Sequence, residues 1–215
     1  QGCAITTRML LPRSRYDEGV ELVKTGFENV NYGDPMDMAN IMGPLVSARQ
    51  RDRVLAYIEK GKAEGARCLV GGGRPEQFDK GYFVEPTIVG GVTEDMTVAR
   101  EEVFGPLVSI ETFRDEADAI RRANGTPFGL GAAVWSRDIG RAHRVAGAIR
   151  AGMTWVNDHH RLSPAMPWGG FKDSGIGKQA GTESFLEFFE KKTVVIRTAD
   201  GAPSWFTRGD TSRLN

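Results

Sequence analysis

The sequence is poor in cysteine, balanced in charge and free of long apolar runs, and each shortage removes a class of function. Its 215 residues hold 2 cysteines, Cys3 and Cys68, far apart and without a C-x-x-C spacing, so neither a disulfide framework nor a zinc site is indicated. Lysine plus arginine and aspartate plus glutamate each total 28, for a formal charge of zero. Such a balance leaves no electrostatic footprint for nucleic acid or an anionic membrane surface. No run of about eighteen apolar residues occurs, nor a basic stretch leading into an apolar one, so no membrane span and no signal peptide is expected. Free thiols without a secretion signal point to a reducing, cytoplasmic setting. No G-x-G-x-x-G is present, and Gly71-Gly72-Gly73 lacks the strand–turn–helix context a dinucleotide fingerprint requires. The partners to expect are small molecules or other proteins.

What is there is an alternation of helical and strand patterns. Ser14, with Asp17 three residues on, is a candidate N-cap; Val20, Leu22, Val23 and Phe27 then recur at helical spacing and predict a helix over 15–28. Ser47 with Gln50 repeats the capping-box pattern ahead of Val54, Leu55 and Ile58, predicting a second helix that ends near Gly65. Cys68-Leu69-Val70 reads as a short strand in which the cysteine is core packing. Strands are predicted over 83–89, with Pro86 confining it to an edge or a bulge, and over 106–113, 130–135 and 153–156. Between them lie helices capped by Asp115 and over 139–149. This β-α-β-α-β order predicts an α/β fold with a parallel-rich sheet flanked by helices. The stretch 157–179, rich in proline and glycine, is too long for an idle connector and reads as a functional loop. A helix over 182–190 and a strand over 192–196 follow, with a loose tail at 199–215.

The chemistry-bearing residues begin at the first turn. In Gln1-Gly2-Cys3 the glycine lets a ligand carbon approach the sulfur, and a thiolate is a strong nucleophile. The alternative is a small buried hydrophobe. Glu101-Glu102 could open a solvated turn, and Leu130 is by composition an ordinary strand leucine. His159 and His160 are adjacent, so their side chains diverge, and with no third ligand in view no metal site is expected.

Taken in order, Gln1-Gly2-Cys3, Glu101-Glu102-Val103-Phe104-Gly105-Pro106, Pro127-Phe128-Gly129-Leu130, Trp155-Val156-Asn157 and Pro167-Trp168-Gly169-Gly170-Phe171-Lys172-x-Ser174-Gly175 closely resemble the NAD(P)-dependent aldehyde dehydrogenase superfamily. The resemblance covers about residues 1–197, and the second and last motifs are specific in combination. It implies that Cys3 attacks the aldehyde carbon to give a thiohemiacetal, which expels hydride to the nicotinamide and leaves a thioester that water hydrolyses. The backbone N–H of Cys3 is one oxyanion donor; the family's second, an asparagine amide, lies before Gln1. Glu102 matches the residue that hydrogen-bonds the nicotinamide ribose of NAD or NADP, Phe104 the aromatic beside it, and Leu130 the apolar residue on the nicotinamide face. Trp155 and Asn157 match the segment leading to the substrate-access loop. Gly2, Trp155, Asn157, Asp158 and His159 are then the substrate-side residues, and the polar Asp158-His159-His160 run suggests an aldehyde bearing a hydrogen-bonding group.

The family's general-base glutamate, in an E-L-G-G-type segment, and its phosphate-binding glycine turn have no counterpart in this sequence. The resemblance therefore implies a catalytic domain at 1–180, a helix plus oligomerisation strand at 181–198 and a C-terminal extension at 199–215, with the cofactor-binding domain missing. It also implies homodimers or homotetramers paired through 193–197, and little or no turnover by this chain alone. Two other readings stay open: a silent binding or assembly module that uses the C-terminal strand, and a relative that passes the acyl group to coenzyme A.

Overall fold

The computed structural model describes residues 1–198. In chain order the elements are β1 (Arg8–Pro12), α1 (Tyr16–Glu28), α2 (Ala48–Ala63), β2 (Arg67–Val70), β3 (Thr87–Gly90), α3 (Thr97–Arg100), β4 (Leu107–Phe113), α4 (Glu116–Asn124), β5 (Gly131–Val134), α5 (Ile139–Ala148), β6 (Met153–Val156) and α6 (Gly181–Leu186). Single 3-10 turns occupy Arg13–Arg15 and Lys172–Ser174.

Four strands form one sheet in the order β1-β4-β3-β2, and β5 and β6 form a separate pair. β1 pairs β4, β4 pairs β3 and β5 pairs β6 in parallel; only β2 runs antiparallel to its neighbour. The parallel-rich α/β architecture is as the alternating pattern predicts. The division into two sheets is not foretold by it, because strand pairing is a non-local property.

Alternation along the central strands buries both faces of the larger sheet. Ile88 of β3 and Ile110 of β4 join Val20, Val23 and Phe27 of α1 on one side. Val89 and Leu107 join Val54 and Ile58 of α2 and Val98 of α3 on the other. The sheet is thus a two-faced platform that fixes α2 in place.

Local signals account for most helix starts. Ser47 Oγ accepts from Gln50 N at 3.2 Å, Asp115 from Asp118 N at 2.8 Å and Asp138 from Arg141 N at 3.0 Å. α2 stops at Gly65, whose φ of +105° suits only glycine. The Gly71-Gly72-Gly73 run is a structural reversal: Gly72 N donates to Thr87 Oγ1 at 3.0 Å, and a Cβ on Gly72 would lie 2.6 Å from Cys68 Sγ.

The structure departs from these expectations in several places. Ser14 sits inside the 3-10 turn, and α1 begins at Tyr16 with no side-chain cap; Asp17 and Glu18 in its first turn face the positive end of the helix dipole instead. The predicted strand over 83–89 shrinks to Thr87–Gly90, because Pro86 offers no N–H to the ladder and Thr87 N, donating to Pro106 O at 2.8 Å, opens it. β1 was not expected: its apolar part is only Met9-Leu10-Leu11, too short to show a period. The helix over 182–190 is shorter, Gly181–Leu186. Residues 189–198 carry no regular structure in this single chain; the strand over 192–196 is one expected to form by pairing with another chain. The tail at 199–215 lies outside the described residues.

Candidate active site at the amino ends of the strands

Cys3 stands in a tight turn closed by Ile5 N donating to Gly2 O at 3.1 Å. The turn buries Ala4 and leaves Cys3 exposed. Two contacts fix it. Gln1 Oε1 accepts from Val46 N at 2.9 Å, just before the cap of α2, and the Ala4 carbonyl lies beside Gly131 at the start of β5. A thiol in this position is open to a ligand and held by backbone rather than by a flexible arm.

The E-E-V-F-G-P segment leads into β4 as the cysteine turn leads into β1. Those strands are parallel with Arg8 opposite Ser109, and Ser109 N donates to Thr7 O at 2.9 Å, so both segments lie beyond the same amino end of the sheet. Doubly wound nucleotide folds place their ligands at the carboxyl ends; these candidate residues sit at the other end.

α2 holds the second segment through side chains at i, i+3 and i+7, one face of the helix. Gln50 Nε2 donates to Phe104 O at 3.0 Å and to Val103 O at 3.3 Å; Arg53 Nη2 donates to Glu102 O at 2.7 Å; Tyr57 OH donates to Glu101 Oε2 at 2.7 Å. The bond to Glu101 pushes the Tyr57 phenol above its ordinary pKa, so the hydroxyl stays a donor. Held this way, Phe104 takes φ +59°, a left-handed conformation rare for an aromatic residue, with 38% of its surface exposed. The Glu102 carboxylate is exposed and has no hydrogen-bond or ion-pair partner among the described residues. Two open clefts, of about 370 and 230 Å3, flank Glu101 and are not lined by Cys3.

The remaining motifs meet around β5. Gly129 N donates to Ser174 Oγ at 3.0 Å and Phe171 N donates to Gly129 O at 2.8 Å. Trp168 and Gln179 close the loop by exchanging backbone bonds at 2.6 and 2.7 Å. Lys172, at φ +54°, donates from Nζ to Asn124 O and Thr126 O, both at 2.9 Å. Burial, with Arg150 and Arg8 adding like-charge repulsion, pushes its ammonium below the ordinary value. Leu130, half-buried, enters β5 from this junction.

Trp155 spans the two ends of the small sheet. Its ring packs on Gly131, where a Cβ would lie 3.0 Å from Cζ3, and its Nε1 donates to Arg161 O at 2.8 Å. Around it stand His159 at 5.4 Å between ring centroids and His160 at 6.4 Å. Asp158 accepts from His159 N at 2.8 Å and pairs with Arg161 Nε at 3.0 Å. The Asn157 amide is taken up locally: it accepts from Ser136 N at 2.8 Å and donates to Ser136 O at 2.9 Å. Asn157, Asp158 and His159 thus lie past the carboxyl end of β6, while Cys3 and Leu130 are at the amino end of β5.

Among the described residues, the five non-glycine residues of positive φ, Phe104, Asn157, His160, Lys172 and Ala180, fall in or beside these motifs. Strained backbone of this kind gathers at functional sites. Sequence reasoning missed the side-chain roles of Gln50, Arg53 and Tyr57. Gln50 was read as a capping-box partner, but only its backbone serves the cap. The available signal was polar residues at i, i+3 and i+7 on one helix, a pattern that also describes an ordinary solvated face.

Comparison with known proteins gives the family and the fold. The profile of the Aldehyde dehydrogenase family matches residues 1–194, and the chain belongs to that family. It is 48% identical over 198 residues to a betaine aldehyde dehydrogenase of Brucella anthropi, which accounts for 91% of this chain and 41% of the relative. A crystal structure of Staphylococcus aureus betaine aldehyde dehydrogenase, in complex with NAD+ and with a BME-modified cysteine, superposes with TM-score 0.93 at 37% identity over 96% of this chain and 43% of that one. A Mycobacterium tuberculosis aldehyde dehydrogenase complexed with NAD+ superposes with TM-score 0.89 at 42% identity over 94% and 42%. The chain therefore spans about two fifths of the length of these relatives.

Proposed function

We propose that this chain carries the nucleophile and the nicotinamide-side face of an NAD-dependent aldehyde dehydrogenase that converts an aldehyde to a carboxylic acid. The observation that carries the reading is the joint placement of an exposed Cys3 and an unpartnered Glu102 beyond the same amino ends of paired parallel strands. Residues 1–180 form the catalytic part in this reading, and 181–198 the assembly element.

The Cys3 thiolate adds to the carbonyl carbon, the adduct is oxidised to a Cys3 thioester, and water releases the acid. The backbone N–H of Cys3 donates to the oxygen that gains charge. Bound NAD supplies the two-electron acceptor. Glu102 receives the ribose hydroxyls, with Phe104 and Leu130 flanking the ring. Gly2 leaves room beside the sulfur.

On the substrate side, Trp155, His159 and His160 gather aromatic rings beside the Asp158 carboxylate, and Asn157 shapes the loop that bears them. The relatives named for betaine aldehyde make that compound the first substrate to test. NADH formation from betaine aldehyde by the complete enzyme tests the reading: Cys3→Ser abolishes it with the fold retained. Near-normal rates in Cys3→Ser would sink the nucleophile assignment.

A further inference from the structure

Resting on that reading of the site, we infer that Gln50 is a positioning residue whose side-chain amide sets the backbone of residues 103–104, directly after Glu102, and so bears on the direction of the Glu102 carboxylate. The loop cannot hold this shape by its own preference, because an aromatic residue at φ +59° is disfavoured relative to the extended region. Something must over-determine it. The Gln50 amide is suited to that task. Its Nε2 has two hydrogens, and its two partners are the carbonyls of Phe104 and Val103, at 3.0 and 3.3 Å, one on each side of the strained Phe104 N–Cα bond. One donor group thereby fixes the orientation of two successive peptides.

The support beneath Gln50 is rigid. Val54 and Ile58 of α2 are fully buried in the core, so the helix cannot follow the loop if it relaxes. Gly105 lets the loop pack directly on α2: a Cβ there would collide with the Val54 side chain. Arg53 and Tyr57 hold the earlier residues Glu102 and Glu101, whereas Gln50 alone among the three reaches the strained residue.

The backbone chemical shifts of Phe104 and Gly105 in the full chain read the loop directly, with the β4 amides as internal reference. In Gln50→Leu and in Gln50→Glu, which keeps the size but cannot donate when ionised, Phe104 loses its left-handed signature while β4 shifts stay put. Retention of that signature in both variants, or a comparable movement of β4, overturns the inference.

A second arm uses a preparation that reduces NAD+ with an aldehyde. Gln50→Leu raises the KM for NAD+ about tenfold, the worth of one lost net hydrogen bond, and adding it to Glu102→Gln raises KM no further. Additive effects mean that Gln50 does not act through Glu102 and overturn the aiming role. If NAD+ fails to saturate even the parent protein, the cofactor reading falls by itself, and the shifts still decide whether Gln50 sets the loop.

Discussion

The two cysteines differ in kind. Cys3 is exposed on a turn, whereas Cys68 donates its thiol to Val70 O at 3.4 Å and Gly71 O at 3.2 Å and is pushed above its ordinary pKa, chiefly by burial. A thiol of raised pKa holds less thiolate at a given pH, and thiolate is the reactive form. Iodoacetamide at neutral pH is therefore expected to modify Cys3 first, with Cys68 gaining label only as the solution is made alkaline; peptide mass mapping across a pH series reads both sites. Equal labelling at neutral pH would remove the distinction. At this scale the sequence marks candidates where chemistry-bearing residues stand together in the chain, as with Gly2-Cys3 and Glu102-Val103-Phe104. It is silent about Gln50, because the partners of that amide lie more than fifty positions away.

At the scale of elements, α4 shows how charge is organised behind the site. Asp118 accepts from Arg121 Nη2 at 2.8 Å, from Arg114 N at 3.1 Å and from Arg122 Nε at 3.2 Å, and Glu111 of β4 is fully buried against Arg8 at 3.0 Å. The Arg121 bond above all holds the Asp118 carboxyl well below the usual carboxylate range. Since the folded value is depressed, the stabilisation is fully present above the unfolded pKa of about 4 and is lost as pH falls from there toward the folded value. Asp118→Asn should accordingly lower the melting temperature at neutral pH by an amount that shrinks below pH ~4; a gap that does not change with pH contradicts the coupling. Helix starts were readable wherever a capping side chain lies within three residues, as at Ser47 and Asp115. The apolar spacing of α1 marks its extent, 15–28 against the observed Tyr16–Glu28, but its start is stabilised by Asp17 and Glu18 rather than by a Ser14 cap. β1 escaped because a five-residue strand is defined by its partner β4 and not by its own pattern.

At the scale of the whole molecule, the end of the described chain is apolar and open. Phe185, Leu186, Phe188, Val194, Val195 and Ile196 are all exposed, and among the described residues no strand takes up 193–197. A β-branched run of this sort is completed by pairing with another sheet edge, which fits the proposed homodimer or homotetramer. Val195→Lys should then shift the sedimentation coefficient toward that of the monomer, while an unchanged value would place the contact elsewhere. No helix among the described residues is long and apolar enough to cross a membrane. The division into two sheets, and with it the meeting of four motifs at one end of the strands, emerges only in three dimensions. The central claim is that Cys3 forms the covalent intermediate. Its most direct measurement is a rapid acid quench of a preparation turning over NAD+ and betaine aldehyde, followed by mass mapping of the acyl group. The account predicts acyl mass on the peptide containing Cys3; NADH accumulating while Cys3 stays unmodified would contradict it.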